Sequence, residues 1–411
     1  MNQSTNLRLH LRTVELASDS NFSILNHLPD DATAFIRNGE GLAGLGQAVV
    51  LRAKGPRRMQ DLATQWRQLV RQALVEDEVI QPGTGLVAFG SFAFADDSNE
   101  ESLLIVPRVL LGVRDGRRWV TTIVGDESFD FWSEEIQYHS EAAVNLLDGL
   151  QSASGFEDSV SSALNAIRTE KVEKIVLARD IVAKVNANFD NRNALRKLAI
   201  SYPTCWTYSV GGLFGASPEL LVRVSHKQVS ARVLAGTAGR GTDPEIDRAI
   251  AVALSESSKN IAEHKFAVAS LVEELKKFCT KVDADDKPFS LPLPNLWHLA
   301  SDVHAVLHDD ASVLDIAAVL HPTAAVAGTP TLTARKLIDE LEPFDRGRYA
   351  GPVGWIGADG DGEWAIALRG AMLTDGQITA FAGCGVVAES EPAAELAETE
   401  LKFKPIREAL A

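Results

Sequence analysis

The stretch "CWTYSVGGLFGASPELLVRV" (205–224), followed after a short gap by "QVSARVLAGTAGRG" (228–241), decides the fold class. Both segments are rich in β-branched and aromatic residues and are punctuated by Gly, Ser and Pro, as strands are. No helical stretch separates them. Parallel neighbours need a long crossover, usually a helix, whereas antiparallel strands need only a turn. Strands that arrive in a run therefore predict antiparallel sheets and an α+β fold.

The same pattern holds on either side. Upstream, "GLVAFGSFAF" (85–94) and "LLIVPRVLLGVRDGRRWVTTIV" (103–124) read as strands, the second with a hairpin at Asp115-Gly116. Helical periodicity marks 59–74, 157–169 and 191–201, and "KIVLARD" (174–180) is a strand. Downstream, 243–278 is the longest helical stretch, opened by Asp243 as N-cap and Pro244 in the first turn. "VLDIAAVLHP" is a helix stopped by Pro322, and 332–342 is another. The C-terminal part holds two strands, 351–373 with a Gly/Asp turn and 378–387, before a last helix. There is no repeat and no low-complexity linker. Residues 1–150 read as mixed strand and helix that complete the sheets of 151–411, so one structural unit is expected.

Of the 411 residues, 45% are hydrophobic and 23% charged, enough for a large core. A net charge of −16 argues against nucleic acid or an anionic membrane as partner, because both need a basic footprint. Cys205, Cys279 and Cys384 are too few and too far apart for a disulfide framework or a CxxC metal site. The N-terminal "MNQSTNLRLHLRTVELASDS" lacks the apolar core of a signal peptide, and no stretch approaches 18 uncharged apolar residues. A reducing cytoplasm is the expected compartment.

Several polar residues sit where apolar ones belong. Period 2 places Lys174, Val176 and Ala178 on one face of a largely apolar strand. Lys174 is either at the strand mouth in water or aimed into a cavity, where desolvation pulls its pKa down from roughly 10.4. In "SPELLVR", Glu219 shares a face with Leu221 and Arg223. It is either an edge carboxylate paired with arginine or a buried acid kept protonated. In "AAELAETELKFK" (393–404), Glu395, Glu398 and Lys402 share one helical face. That face is either solvated or built around a cation. Glu263 and His264 lie mid-helix, but the HExxH spacing of zinc enzymes is absent. Glu263, Glu395 and Glu398 together are hard oxygen donors of the kind Mg²⁺ takes. "AGTAGRG" and "FAGCGVV" match neither a P-loop nor GxGxxG.

Taken in order, "EKIVLARD", "SPELLVR", "LAGTAGRG", "SSKNIAEHKFAV", "LWHLASDV", "LHPTAAVAGTP", "DRGRYAGPVGW", "GEWAIALRGAML" and "FAGCGVVAESEPAAELAETELK" resemble the chorismate-utilising enzymes. These include isochorismate synthases, salicylate synthases and the large subunits of anthranilate and aminodeoxychorismate synthases. The match is dense over roughly 155–408 and loose before it. The resemblance implies two antiparallel sheets stacked face to face, with helices outside and the site in a cleft between them. It implies that Lys174 activates water and Glu219 protonates the departing hydroxyl. Glu263 and Glu398 would hold Mg²⁺, with Glu395 supporting through water. Arg369, Tyr349 and the Gly383 backbone would take the enolpyruvyl carboxylate of chorismate, with Lys402 nearby. Leu234, Gly236, Thr237 and His298 would line the pocket.

Within the family, a lysine at 174 favours water over ammonia as nucleophile, so no glutaminase partner is expected. Ala325 in "HPTAAVAGTP" stands where salicylate and anthranilate synthases usually carry threonine, which favours an isochorismate synthase; the resemblance to the family's non-aminating branch implies a monomer. Salicylate synthase, an aminating enzyme and a non-catalytic chorismate-binding subunit are the rivals. Asn260 departs from the usual aspartate, and Cys384 from the usual alanine, the latter read as a small neutral filler.

Overall fold

The computed structural model describes residues 9–16, 24–28, 32–126, 144–186, 189–241, 243–292 and 296–411. The side chains of Ala235, Thr237, Lys259, Glu263, Phe266, Ser270, Leu296 and His298 lie outside that description.

The runs of strands assemble into two sheets. The first runs in the order Leu147–Asp148, Lys174–Lys184, Gln377–Val386, Gly370–Thr374, Leu213–Ser217, Trp206–Val210, Thr33–Arg37, Glu40–Leu45, Val109–Arg114, Arg117–Ile123, His10–Glu15, Leu74–Asp77. The second runs Cys279–Ala284, Leu296–Leu307, Gln228–Gly239, Leu220–Ser225, Gly362–Ile366, Pro352–Gly357, Val87–Ser91, Ser102–Val106, Val49–Ala53. Pairing is antiparallel as expected, except that His10–Glu15 and Leu74–Asp77 run parallel at the far edge of the first sheet. Strands from the first 150 residues enter both sheets.

The sheets pack face to face through Phe35, Trp119, Trp206 and Tyr208 from one and Phe89, Ile105 and Trp355 from the other, all buried. On the outer face of the first sheet, Leu195 and Leu198 of helix Arg192–Ser201 and Phe403 and Ile406 of helix Pro392–Leu410 cover Phe214 and Ala380. On the outer face of the second, Leu62 and Trp66 of helix Arg58–Gln72 and Ile316 of helix Val313–Leu320 join Val222, Val224 and Trp364. No described helix is long and apolar enough to cross a membrane.

Two expectations about elements change. The segment 243–278 is not one helix but two, Pro244–Glu256 and Ser258–Leu275. Ser257 is extended (φ −65°, ψ 112°), and its side chain accepts from Asn260 N to cap the second helix; a serine cap inside a helical pattern ends one helix and starts the next. The segment 351–373 carries three strands, not one. Pro352–Gly357 and Gly362–Ile366 belong to the second sheet and Gly370–Thr374 to the first. The chain changes sheet at Ala367–Arg369, where Arg369 takes a left-handed φ of 51°.

Strand Lys174–Lys184 has a gap in its outer ladder. It pairs there only with Gly328–Thr329 at its start and Leu147–Asp148 near its end. Between them a buried ion pair substitutes for a strand. Arg346 Nη2 donates to Val176 O at 2.7 Å, and Glu342 Oε1 accepts from Ala178 N at 2.7 Å. The two side chains clasp each other at 2.5 Å. Glu342→Ala would strand a buried guanidinium and a buried amide together. It should cost about 3–5 kcal/mol in chemical denaturation, as removing one partner of a buried pair does.

Candidate active site

Both sheets and the C-terminal helix enclose a cleft of about 1100 Å³. The first sheet contributes Lys174, Val176 and Phe381 to Gly385; the second contributes Leu221, Ala231 and Leu234; the helix contributes Ala394, Ala397, Glu398, Leu401 and Lys402. Lys174 opens a strand whose first residues are buried on both faces. Its own side chain is almost fully buried and passes over Gly385, where any Cβ would meet Lys174 Cε. Burial away from water disfavours the ammonium and pulls the Lys174 pKa down to about 8, against the opposing pull of the Glu219 carboxylate.

Glu219 lies where the chain leaves the first sheet at Ser217 and enters the second at Leu220. Burial raises its pKa, offset by the charges of Lys174, Lys402 and Arg369. Glu219 and Leu221 both line the cleft, but Arg223 does not share their face. A bulge between Leu220 and Val222 inserts an extra residue, and Arg223 turns to Glu363 at 3.3 Å while Leu221 stays in the cleft.

Arg369 occupies the neighbouring crossover. The two crossovers are tied together: Ile366 N donates to Glu219 O at 3.0 Å, and Ser217 Oγ donates to Ile366 O at 2.6 Å. Arg369 faces the cleft and makes no ion pair among the described residues; burial pulls its pKa down, countered by Tyr349 and Glu398. A part-buried guanidinium left in this state invites an anion. Tyr349 lies beside it, buried and stacked on Phe381 at 5.0 Å between ring centroids.

On the helix, Glu398 ion-pairs with Lys402 at 2.5 Å, and Lys402 Nζ donates to Gly383 O at 2.7 Å. Glu395, one turn earlier, is nearly buried, and its Oε2 has no hydrogen-bond partner. Burial raises the Glu395 pKa, against hydrogen bonds from Ser390 and Cys384. Cys384 is small, buried and neutral as expected, burial holding its thiol pKa up, and it also lies against the Glu395 carboxyl. Two carboxylates a turn apart, one with an unsatisfied buried oxygen, fit a hard divalent cation. No group of three His, Cys, Asp or Glu converges among the described residues. Glu263, the expected third ligand, stands on helix Ser258–Leu275 with its side chain outside the description.

The remaining expected residues divide. Leu234 and Ala325 line the cleft. Gly236 (φ 86°) lies in the bulge between Leu234 and Thr237, where a side chain would press on Asn260, one turn before Glu263. Thr237 pairs with His298 in the ladder, and both side chains lie outside the description. Missed were Arg37, Trp206, Arg346 and Phe381, which line the cleft but occupy ordinary strand and loop positions. Val176 alone had a signal, since it shares the face of Lys174.

A family model described as "Chorismate binding enzyme" matches residues 13–411. The isochorismate synthase DhbC of Bacillus subtilis is 32% identical over 378 residues, covering 88% of this chain and 89% of that protein. The isochorismate synthase MenF of the same organism is 29% identical over 401 residues, covering 90% and 85%. The solved structure of Escherichia coli MenF, described as a menaquinone-specific isochorismate synthase, superposes with a TM-score of 0.73 over 98% of this chain and 94% of that one, at 22% identity.

Proposed function

The chain belongs to the chorismate-binding enzyme family, and from that premise we propose that it is an isochorismate synthase, adding water at C2 of chorismate and expelling the C4 hydroxyl. The observation that carries this reading is the pair of opposed groups in one cleft. Lys174 is a lysine with its pKa pulled toward neutrality, and Glu219 is a carboxyl with its pKa pushed up. A neutral amine accepts a proton from attacking water, and a protonated carboxyl gives one to a leaving hydroxyl. The exchange needs both at once, from different directions.

Chorismate carries two carboxylates, and an acidic protein holds it only with local cations. Arg369, with Tyr349 and the Gly383 backbone beside it, takes the enolpyruvyl carboxylate. Glu398 and Glu395, with Glu263, would hold Mg²⁺, and a bound Mg²⁺ would neutralise the ring carboxylate. Lys402 is held by Gly383 O and Glu398 at the boundary of the two subsites. On this reading Leu234, Gly236, Thr237 and His298 would line the ring side. Ala325 leaves the cleft without a hydroxyl at that point, in keeping with a reaction that stops before pyruvate is lost. With Lys174 serving water, the enzyme works as a monomer and without a glutaminase.

Chorismate incubated with the purified protein and Mg²⁺ should give isochorismate, with little free pyruvate and no salicylate fluorescence. Substantial pyruvate without a lyase partner would move the assignment to salicylate synthase, and turnover only with ammonia to an aminating enzyme. The pH profile carries a sign. Lys174 is protonated below about 8 and unable to accept a proton, so kcat/KM should rise with pH toward that value. It should fall again once Glu219 loses its proton, giving a bell. A profile flat from pH 6 to 9 would remove Lys174 as the base.

A further inference from the structure

We infer that Tyr208 is a positioning residue for Arg369, acting through the backbone of the sheet-to-sheet crossover; this rests on the reading of Arg369 as a substrate-carboxylate ligand. Tyr208 lies in strand Trp206–Val210, is fully buried, and takes no part in the chemistry proposed above. Its cross-strand partner is Gly215, and the next residue along the same ladder line is Gly370. Both glycines are needed by the phenol. A Cβ at Gly215 would fall 2.5 Å from Tyr208 Oη, and one at Gly370 would also collide with it. The side chain thus crosses two neighbouring strands in a channel that only hydrogen atoms line. At its end, Tyr208 Oη donates to Leu368 O at 2.9 Å.

Leu368 is the residue before Arg369, whose φ of 51° is a conformation that L residues with side chains adopt uncommonly. On the other side, Arg369 O accepts from Ala216 N at 3.2 Å. The peptide units flanking Arg369 are therefore both anchored to the first sheet, one by a side chain and one by the ladder. Without the hydroxyl the part-buried Leu368 carbonyl loses the side-chain bond that fixes it, and any resettling of that peptide swings the guanidinium. Nothing in the packing requires a hydroxyl at this place, since phenylalanine fills the same volume. The hydroxyl holds the backbone that aims Arg369.

Tyr208→Phe should retain the fold by circular dichroism, raise KM for chorismate about 5- to 10-fold, and leave kcat within about 2-fold, the pattern of lost ground-state binding worth one hydrogen bond. Gly370→Ala is not a substitute for this variant, because its Cβ would meet the Phe214 carbonyl as well as the phenol, and its losses would report on the strand itself. In an Arg369→Ala background, Tyr208→Phe should add no further KM effect, because the group it aims is gone; purely structural damage would add in full. A folded Tyr208→Phe with unchanged KM overturns the inference, as does an additive double variant. Should Tyr208→Phe not fold at 25 °C, the same single and double variants prepared and assayed at 10 °C in glycerol decide by the same two readings. Failure of the functional reading is distinct, since the unmodified protein would then not yield isochorismate as its product from chorismate and water.

Discussion

Replacing Lys174 with alanine should reduce conversion of chorismate by about 10²–10⁴-fold, the span that one positioned acid–base group contributes, while chorismate still binds in the presence of Mg²⁺. The two halves of that expectation have separate causes. Proton acceptance should be lost, because among the described residues the other lysine of the cleft, Lys402, is held by Gly383 O and Glu398. Binding should persist because the proposed carboxylate ligands line the cleft elsewhere, at Arg369 and on the C-terminal helix. Isothermal calorimetry with chorismate and a discontinuous assay for isochorismate read the two independently. An Lys174→Ala protein that turns over normally would falsify the base. Lys174→Met is a useful companion, since it fills the volume over Gly385 that alanine leaves empty.

Glu398→Ala should leave a folded protein whose activity no longer responds to Mg²⁺ and falls about 10²-fold or more, the scale on which one element of preorganised charge stabilisation is lost. Folding is spared because the side chain lies in the cleft and is not packed in the core. Its loss also releases Lys402 from the ion pair, placing an unbalanced cation beside Glu395. Titration of Mg²⁺ by calorimetry, or of Mn²⁺ by its paramagnetic resonance signal, checks the metal without relying on turnover. Wild-type metal affinity in Glu398→Ala would show that the ion sits elsewhere, and full activity in excess chelator would remove it from the chemistry.

Much of the site was legible because its residues violate their local pattern. A lysine among apolar strand residues, a glutamate opening a buried strand and two glutamates on one helical face are conflicts within a few residues of chain. Periodicity exposes such conflicts. It could not see Trp206 or Phe381, which obey the strand pattern perfectly and reach the cleft only because their sheet faces the second one. Nor could it see that Glu219 and Arg223 part company, because one inserted residue reverses every face that follows it. The filler reading of Cys384 left out its neighbour for a related reason. Its partner Glu395 is adjacent only after the C-terminal helix folds back on strand Gln377–Val386.

By itself the sequence determined that strands come in runs, that antiparallel sheets must result, and that acid, base and hard oxygen donors are present in one chain. All of this follows from short-range sterics and from which residues water rejects. Which sheet each strand joins, where the chain steps between sheets at Glu219 and Arg369, and how the Glu342–Arg346 pair fills a missing strand were decided only in three dimensions. Hydrogen bonds between residues more than a hundred positions apart fix those choices, and a pattern read along one strand carries no information about the strand that will lie beside it.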